Sequence, residues 1–280
     1  VHLTKHHAQG NDFLVLVDLE NDQQVEPEVA VGLCDRRRGI GADGFIRAVG
    51  RDSAAVPPAY QIACAMELTN ADGSSAEISG NGIRCLAHCL WASGAVEGDS
   101  ALIATAAGVR KVSLESMPEP HRASVSVAMG PVKVFEVDDL SWLPPTVGRS
   151  VRAALRAEVG NPHLVIMVEP GSCGDLEAAG RAAQEAFEGG INLELVSLST
   201  PNRLDMAVYE RGAGATLACG SGSCAAAAAA RHWGVAGESM VVANPGGDVT
   251  VSFCDDEAVL SGEVVQVASM DVSEAWLREL

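Results

Sequence analysis

Lysine is scarce in this 280-residue chain, which has only Lys5, Lys111 and Lys133. Aromatic residues make up just 4%, and acidic residues outnumber basic ones 37 to 19, a formal net charge of −18. Such a surface repels phosphate backbones, so nucleic acid is not an expected partner. Long apolar runs are missing too. The longest, Cys224 to Ala230, is far too short to span a bilayer, and no membrane partner is expected. The opening "VHLTKHHAQGND" lacks a basic-then-apolar signal layout, so a soluble, cytoplasmic protein is the expectation. The eight cysteines contain no C-x-x-C pair and no finger-like His/Cys spacing; Cys85 and Cys89 share only an i,i+4 relation. Reduced thiols and no metal are therefore expected. Walker, zinc-ligand and G-x-S-x-G motifs are absent as well.

What is present is a repeat. "EISGNGIRCLAHCLWASG" (77–94) and "LACGSGSCAAAAAARHWG" (217–234) share one layout, a polar turn opening an apolar helical run. Gly80, Gly82 and Gly94 keep step with Gly220, Gly222 and Gly234, and Ser79 stands where the second copy has Cys219. Flanking segments agree in order: "GNDFLVLVD" (10–18) with "GNPHLVIMVE" (160–169), and "TAAGVRKVSLE" (105–115) with "NPGGDVTVSFC" (244–254). The Pro-Ala segment "RDSAAVPPAYQ" absorbs the extra length of the first copy. A duplication of half the chain predicts two similar domains. Strands are expected at "FLVLV", "RKVSLE", "RASVSVAM", "HLVIMV", "LDMAVYE" and "DVTVSF", and helices near 27–37, 82–93, 173–187 and 222–233. Each half thus reads as a β-rich sheet with one buried helix. "MPEPH" (117–121) reads as a linker, giving domains 1–117 and 118–264. "CDRRRG" reads as a solvated helix end.

Two facing domains would present equivalent helix starts, with free amides and partial positive charge, to one cleft suited to a carboxylate. Cys219 opens such a helix, where a thiol is expected to ionise more readily than the ordinary value near 8.5. Cys34, Cys64, Cys85, Cys89, Cys173, Cys224 and Cys254 read instead as buried small hydrophobes. "GSGSCA" satisfies G-x-G-x-x-A, but no continuous apolar strand precedes it and too little chain follows for a dinucleotide fold.

"NADGS…SGNGIRC" and "ERGAGATLACGSGSCAA", with "GNDF", "CDRRRGIGADG", "GNPH" and "GIN" in order, resemble diaminopimelate epimerase, a pyridoxal-independent amino-acid epimerase family. The resemblance covers nearly the whole chain. It implies an α/β (α+β) fold of two pseudo-symmetric domains. Each is a β-barrel-like sheet around a central helix, the active site lies in the cleft between them, and residues 265–280 pack back on the first domain. It also implies a homodimer and no cofactor. The reaction it implies is LL- to meso-diaminopimelate epimerisation, with one thiolate removing the α-proton and a thiol on the opposite face returning one. By motif match the catalytic positions are Cys219 and Ser79, with His163 and Glu210 tuning them. Substrate binding falls to Asn11, Asn70, Asn161, Asn192, Glu210 and Arg211, together with the helix-start amides of Gly80, Asn81, Gly220 and Ser221. Arg211 suits a distal carboxylate and Glu210 an ammonium. In some relatives the two cysteines oxidise to a disulfide, which Ser79 forbids.

Two positions depart from the family. Ser79 replaces its first cysteine, and a serine hydroxyl is a poor base without an activator. Gly44 stands where many relatives have Gln. Ser79 admits three readings: an introduced replacement in a scaffold that binds substrate, a native residue in an epimerase of low activity, or a native residue in an enzyme running one-base chemistry. A related racemase or hydroxyproline dehydratase/epimerase, and an inactive substrate-binding variant, are the alternative functions. A dinucleotide-dependent oxidoreductase is remote.

Overall fold

Alternating apolar residues become strands and the two glycine-opened runs become buried helices in the computed structural model. It describes residues 1–23, 25–50, 62–76, 78–137, 139–172 and 174–280. The chain divides into two compact units, Val1–Val127 with Gly262–Leu280, and Ala128–Ser261.

The first unit contains β1 (His2–Ala8), β2 (Asn11–Asp18), α1 (Pro27–Cys34), β3 (Gly44–Val49), β4 (Cys64–Asn70), α2 (Gly80–Ala92), β5 (Ser100–Thr105), β6 (Gly108–Glu119) and the start of β7 (Arg122–Pro131). The second contains β8 (Lys133–Glu136), α3 (Pro145–Gly148), β9 (Val151–Glu158), β10 (Pro162–Val168), α4 (Leu176–Ala186), β11 (Asn192–Thr200), β12 (Arg203–Glu210), β13 (Gly214–Thr216), α5 (Gly220–His232), β14 (Ser239–Asn244), β15 (Gly247–Cys254) and the start of β16 (Glu257–Asp271). The end of β16 and α6 (Glu274–Leu277) belong to the first unit.

One plan is used twice. In the first unit β2 and β3 pair in parallel, β3 and β4 antiparallel, β4 and β5 in parallel, and β5 and β6 antiparallel. In the second unit β10, β11, β12, β14 and β15 repeat that sequence of pairings. Each parallel pair needs a crossover, and helices α1, α2, α4 and α5 supply them. In the first unit the end of β16 pairs with β1, which closes β1–β7 and β16 into an eight-stranded barrel.

Helices α2 and α5 sit at the centres of their sheets. Every residue of α2 from Gly80 to Trp91 is buried, and so is the alanine run Ala225–Ala230 of α5. Helices buried all round have no solvent face, and the small residues of α5 let its sheet close around it. Burial of Ile83, Leu86 and Leu90 stabilises α2 by about 1.5–3 kcal/mol each. A satellite cluster joins Leu3, Leu14, Leu33 and Phe45 to Trp276 and Leu277 of α6.

Several expectations are corrected. "MPEPH" is the end of a β6–β7 hairpin, with Glu119 paired to Arg122. Pro118 is tolerated there because the ladder is irregular between Ser116 and Glu119 and the strand end is exposed. Helix α1 stops at Cys34 and α4 starts at Leu176, while α3 and α6 are short additions without a long periodic signal. Among the cysteines read as buried, Cys34, Cys64, Cys85, Cys89 and Cys224 are so, but Cys254 is exposed. It ends β15 beside an exposed turn in which Asp255 and Asp256 take positive φ. Cys173 and the segment 51–61 lie outside the described residues.

A directional chain of polar groups crosses the first unit's core. His88 Nε2 lies 3.1 Å from the Pro120 carbonyl, which can only accept, so this nitrogen donates. The neutral ring then accepts at Nδ1 from His6 Nδ1–H at 3.3 Å. His6 Nε2 accepts from the Thr4 hydroxyl at 2.9 Å, leaving Thr4 to accept from the Cys89 thiol at 3.3 Å. Both imidazoles are fully buried. Burial, then the neighbouring His88 and His7, push His6 down to about 3. Burial lowers His88 as well.

Candidate active site

The two helix starts have the same local geometry. Ser79 is the N-cap of α2 with φ −131° and ψ 118°, and its Oγ accepts from Gly82 N–H at 3.0 Å. Cys219 is the N-cap of α5 with φ −125° and ψ 117°, and its Sγ accepts from Gly222 N–H at 3.3 Å. An N-cap side chain must accept from the first turn, and a hydroxyl or a thiol can do so. The following amides, of Gly80 and Asn81 in α2 and of Gly220 and Ser221 in α5, belong to the first turn, which has no intrahelical acceptor.

In the first unit the sequence-selected residues form a polar group. Asn81 Nδ2 donates to Asn11 Oδ1 at 3.2 Å, and Asn11 Nδ2 donates to Asp43 at 2.9 Å. Arg84 bonds Asn81 Oδ1 at 2.6 Å and Gln9 at 2.8 Å from full burial, which orients Asn81 from beneath. Asn70, at the end of β4, pairs across the ladder with Gly44 and donates to Ser74 at 2.9 Å. A Cβ at Gly44 would lie 3.1 Å from the Thr69 carbonyl and 3.2 Å from the Phe13 ring, so this glycine leaves room for that ring.

Arg36 is not part of a solvated helix end. It lies beyond α1 and donates to both Asp12 oxygens and to Asp43, at 2.6–3.1 Å. Lys5 adds a further bond, 3.0 Å from Asp12. Burial raises Asp12, but the hydrogen bonds from Arg36 and Lys5 outweigh it and hold the carboxyl below its usual range. Arg37 and Arg38 stay exposed, their amides capped by Asp35. The network pins the turn that carries Asn11.

In the second unit a polar group links Asn161, His163, Glu194, Asn192 and Arg211, and of the sequence-selected residues Glu210 bears directly on Cys219. Asn161 Oδ1 lies 2.8 Å from His163 Nε2, and His163 Nδ1 lies 2.7 Å from Glu194 Oε1. Asn192 donates to the Pro162 carbonyl at 3.0 Å and accepts from Arg211 N–H at 2.9 Å. Arg211 is exposed, its guanidinium 3.3 Å from the Gly189 carbonyl. Glu210 takes a short hydrogen bond from Thr216. Burial raises Glu210 above the usual carboxylate range, while the Thr216 and Cys219 hydrogen bonds and His163 pull the other way.

Cys219 reverses the expectation of an easily ionised thiol. It is 5% exposed, and burial, then Glu210 and Glu194, push it well above the ordinary thiol value. The Ser221 hydroxyl and the Gly222 amide favour the thiolate but do not outweigh two nearby carboxyls. At rest Cys219 is a protonated thiol.

Sequence reasoning missed Glu194. Its signal was one charged residue inside the apolar run "INLELVSL". The register shows what it replaces. Phe13 pairs with Gly44 and Val15 with Ile46 in the first unit; His163 pairs with Asn192 and Val165 with Glu194 in the second. Asn70 faces Gly44, and Glu210 lies one step beyond the Leu193–Tyr209 pair. The second unit's His163, Glu194, Glu210 and Cys219 therefore correspond to Phe13, Ile46, Asn70 and Ser79. All four titratable groups lie in one half of the repeat.

A family model described as diaminopimelate epimerase matches residues 3–135 and 156–267. The diaminopimelate epimerase of Corynebacterium glutamicum is 40% identical over 277 residues, 96% of each chain. That of Rhodococcus erythropolis is 37% identical, covering 99% of this chain and 98% of its own. Among solved structures, a predicted epimerase from Pseudomonas aeruginosa has TM-score 0.74 at 14% identity, covering 97% of this chain and 98% of its own. A hydroxyproline epimerase from Agrobacterium vitis has TM-score 0.71 at 16% identity, covering 96% and 91%. At those identities the two structures speak for the fold alone.

Proposed function

This chain belongs to the diaminopimelate epimerase family and is an isomerase, and from that premise we propose that it acts on the α-carbon of diaminopimelate by proton transfer without a cofactor. Cys219 is the proton-carrying group. Glu210 and His163 set its protonation, and Asn11, Asn70, Asn161, Asn192 and Arg211 bind the substrate's two amino-acid ends. The observation that carries this reading is the shared N-cap geometry of Ser79 and Cys219, with ionisable groups gathered around Cys219 alone.

The Cys219 thiol passes its proton to Glu210, with which it shares a hydrogen bond, and the substrate ammonium stabilises the thiolate so formed. The thiolate takes the α-proton, forming S–H as the C–H electron pair moves into the substrate carboxylate. The helix-start amides of Gly220 and Ser221, and of Gly80 and Asn81, stabilise that charge. Return of the proton from Cys219 restores the starting configuration. Delivery from the opposite face falls to Ser79, whose hydroxyl leaves an alkoxide and has no ionisable counterpart to Glu210 or His163 in its own half. Exchange with retention therefore outruns inversion, and LL–meso interconversion by this chain is slow. The same reading makes the protein a cytoplasmic homodimer, and light scattering should give twice the 28.9 kDa chain mass in solution.

The test uses LL-diaminopimelate in D₂O with the protein and its Ser79→Cys variant, following α-deuterium uptake and stereochemistry together. The expected result is exchange in both and rapid inversion only in the variant. Absence of exchange in both overturns the substrate assignment. Equal inversion in both overturns the role given to position 79.

A further inference from the structure

Glu194 stands out because its environment is costly. It lies on β11 at 0% exposure, between Leu193 and Leu195, which are themselves fully buried. One oxygen is 2.7 Å from His163 Nδ1. The other, Oε2, has no hydrogen-bond partner among the described residues. Burying a carboxylate with an oxygen unpaired is expensive, and in the first unit the corresponding position is the apolar Ile46. An isoleucine satisfies packing at this point of the sheet, so packing does not account for the carboxylate.

The helix opposite is shaped to fit it. A Cβ on Gly222 would lie 2.5 Å from Glu194 Oε1, whereas a Cβ on the counterpart Gly82 would meet only Ile46 Cδ1 at 3.2 Å and Met66 Cε at 3.3 Å, apart from its own N-cap. The amide of that same Gly222 donates to Cys219 Sγ. Glu194 therefore touches the cap of α5 on one side and the His163 ring on the other.

We propose that Glu194 is a positioning residue for the proton transfer. It fixes His163 with Nδ1–H toward its carboxylate and Nε2 toward Asn161, and it keeps the proton on Cys219 until substrate arrives. Gly222 is the glycine this carboxylate requires. The inference rests on the proposed role of Cys219 and goes beyond it by assigning a residue that touches neither substrate nor reacting carbon. The ionisable groups facing Glu194 come from β10 (His163), β12 (Glu210) and the start of α5 (Cys219), and its like-charge effect on the last two has one sign.

The test separates this claim from the substrate assignment by using the thiol itself. Iodoacetamide labelling of Cys219, read by peptide mass spectrometry against pH, needs no substrate. Glu194→Gln keeps shape and removes charge, so half-labelling should move down by about one pH unit. An unmoved or raised profile overturns the proposal. The second arm is a mutant cycle on α-deuterium exchange. Gly222→Ala should lower kcat about tenfold or more with KM little changed, and adding Glu194→Ala should cost nothing further, because the Cβ then has no carboxylate to displace. Additive losses overturn the proposal. If Glu194→Gln does not fold, ¹⁵N-histidine NMR of the unmodified protein decides the matter: the hydrogen bond to Glu194 requires hydrogen on His163 Nδ1, and a bare Nδ1 overturns the proposal. A shifted labelling profile with no exchange on diaminopimelate would sink the substrate assignment and leave Glu194's role standing.

Discussion

Mild acid should destabilise the first unit through the buried imidazole pair. His6 is neutral in the folded protein because burial, His88 and His7 push it to about 3, against 6.5 for the exposed side chain. As the folded value is the lower one, the stability is fully present above 6.5 and drains away as pH falls toward about 3. One pH unit of separation is worth about 1.4 kcal/mol, which gives a loss of about 5 kcal/mol below pH 3 and about 2 kcal/mol at pH 5. Against a total stability of roughly 5–15 kcal/mol, 2 kcal/mol is easily measured. The buried carboxylates Asp12 and Asp18, held low by arginine, lose their contribution only as pH falls through and below their unfolded value of 3.8, and Glu210, raised by burial in the other unit, acts alike in parent and variant and cancels in their comparison. Urea unfolding followed by circular dichroism at about pH 7.5 and about pH 5 is the assay. His6→Asn supplies an amide N–H toward His88 without a titrating ring, so the variant should lose about 2 kcal/mol less than the parent over that window. Equal losses in the two proteins would refute the reasoning.

Cys219 should resist alkylation at neutral pH and react only as pH climbs well above the ordinary thiol range, while exposed Cys254 labels first; the reverse order of labelled peptides would contradict the burial argument. Gly39→Ala would place a Cβ 2.1 Å from the Gly32 carbonyl and 2.7 Å from that of Leu33, so a loss of at least about 2 kcal/mol in thermal or urea unfolding is expected. Truncation before Glu274 removes Trp276 and Leu277 from the satellite cluster and should lower the melting temperature by several degrees, about 2–4 °C for each kcal/mol lost. Arg36→Ala should lower stability and weaken substrate binding together, since the Asp12–Asp43 network it completes supports Asn11.

The repeat was legible because glycine spacing and helix starts are local signals, and both buried helices follow from it. The strand patterns gave β-rich sheets around them, and their barrel-like closure came from the family resemblance alone. What stayed hidden depends on contacts remote in sequence. Arg36 looked like a helix-end charge because its carboxylate partners come from β2 and the turn before β3. Cys219 looked easily ionised because a helix start is visible in sequence, whereas the carboxyls of Glu194 and Glu210 reach it only once β11 and β12 are in place. Glu194 itself was one acid in a hydrophobic strand, and nothing local names His163 as its partner. Pro118 suggested a break in the chain because proline disfavours a regular ladder, but an exposed, irregular strand end imposes no such penalty.

The hydroxyl at the start of α2 has a consequence for any attempt to convert it to sulfur. Serine ranks among the strongest helix-capping residues, and its oxygen sits closer to the Gly82 amide than the sulfur of Cys219 does to that of Gly222. Exchanging it for a thiol trades anchoring of the first unit's central helix for reactivity. A faster enzyme made this way should melt earlier than its parent, so speed and robustness are opposed at a single atom.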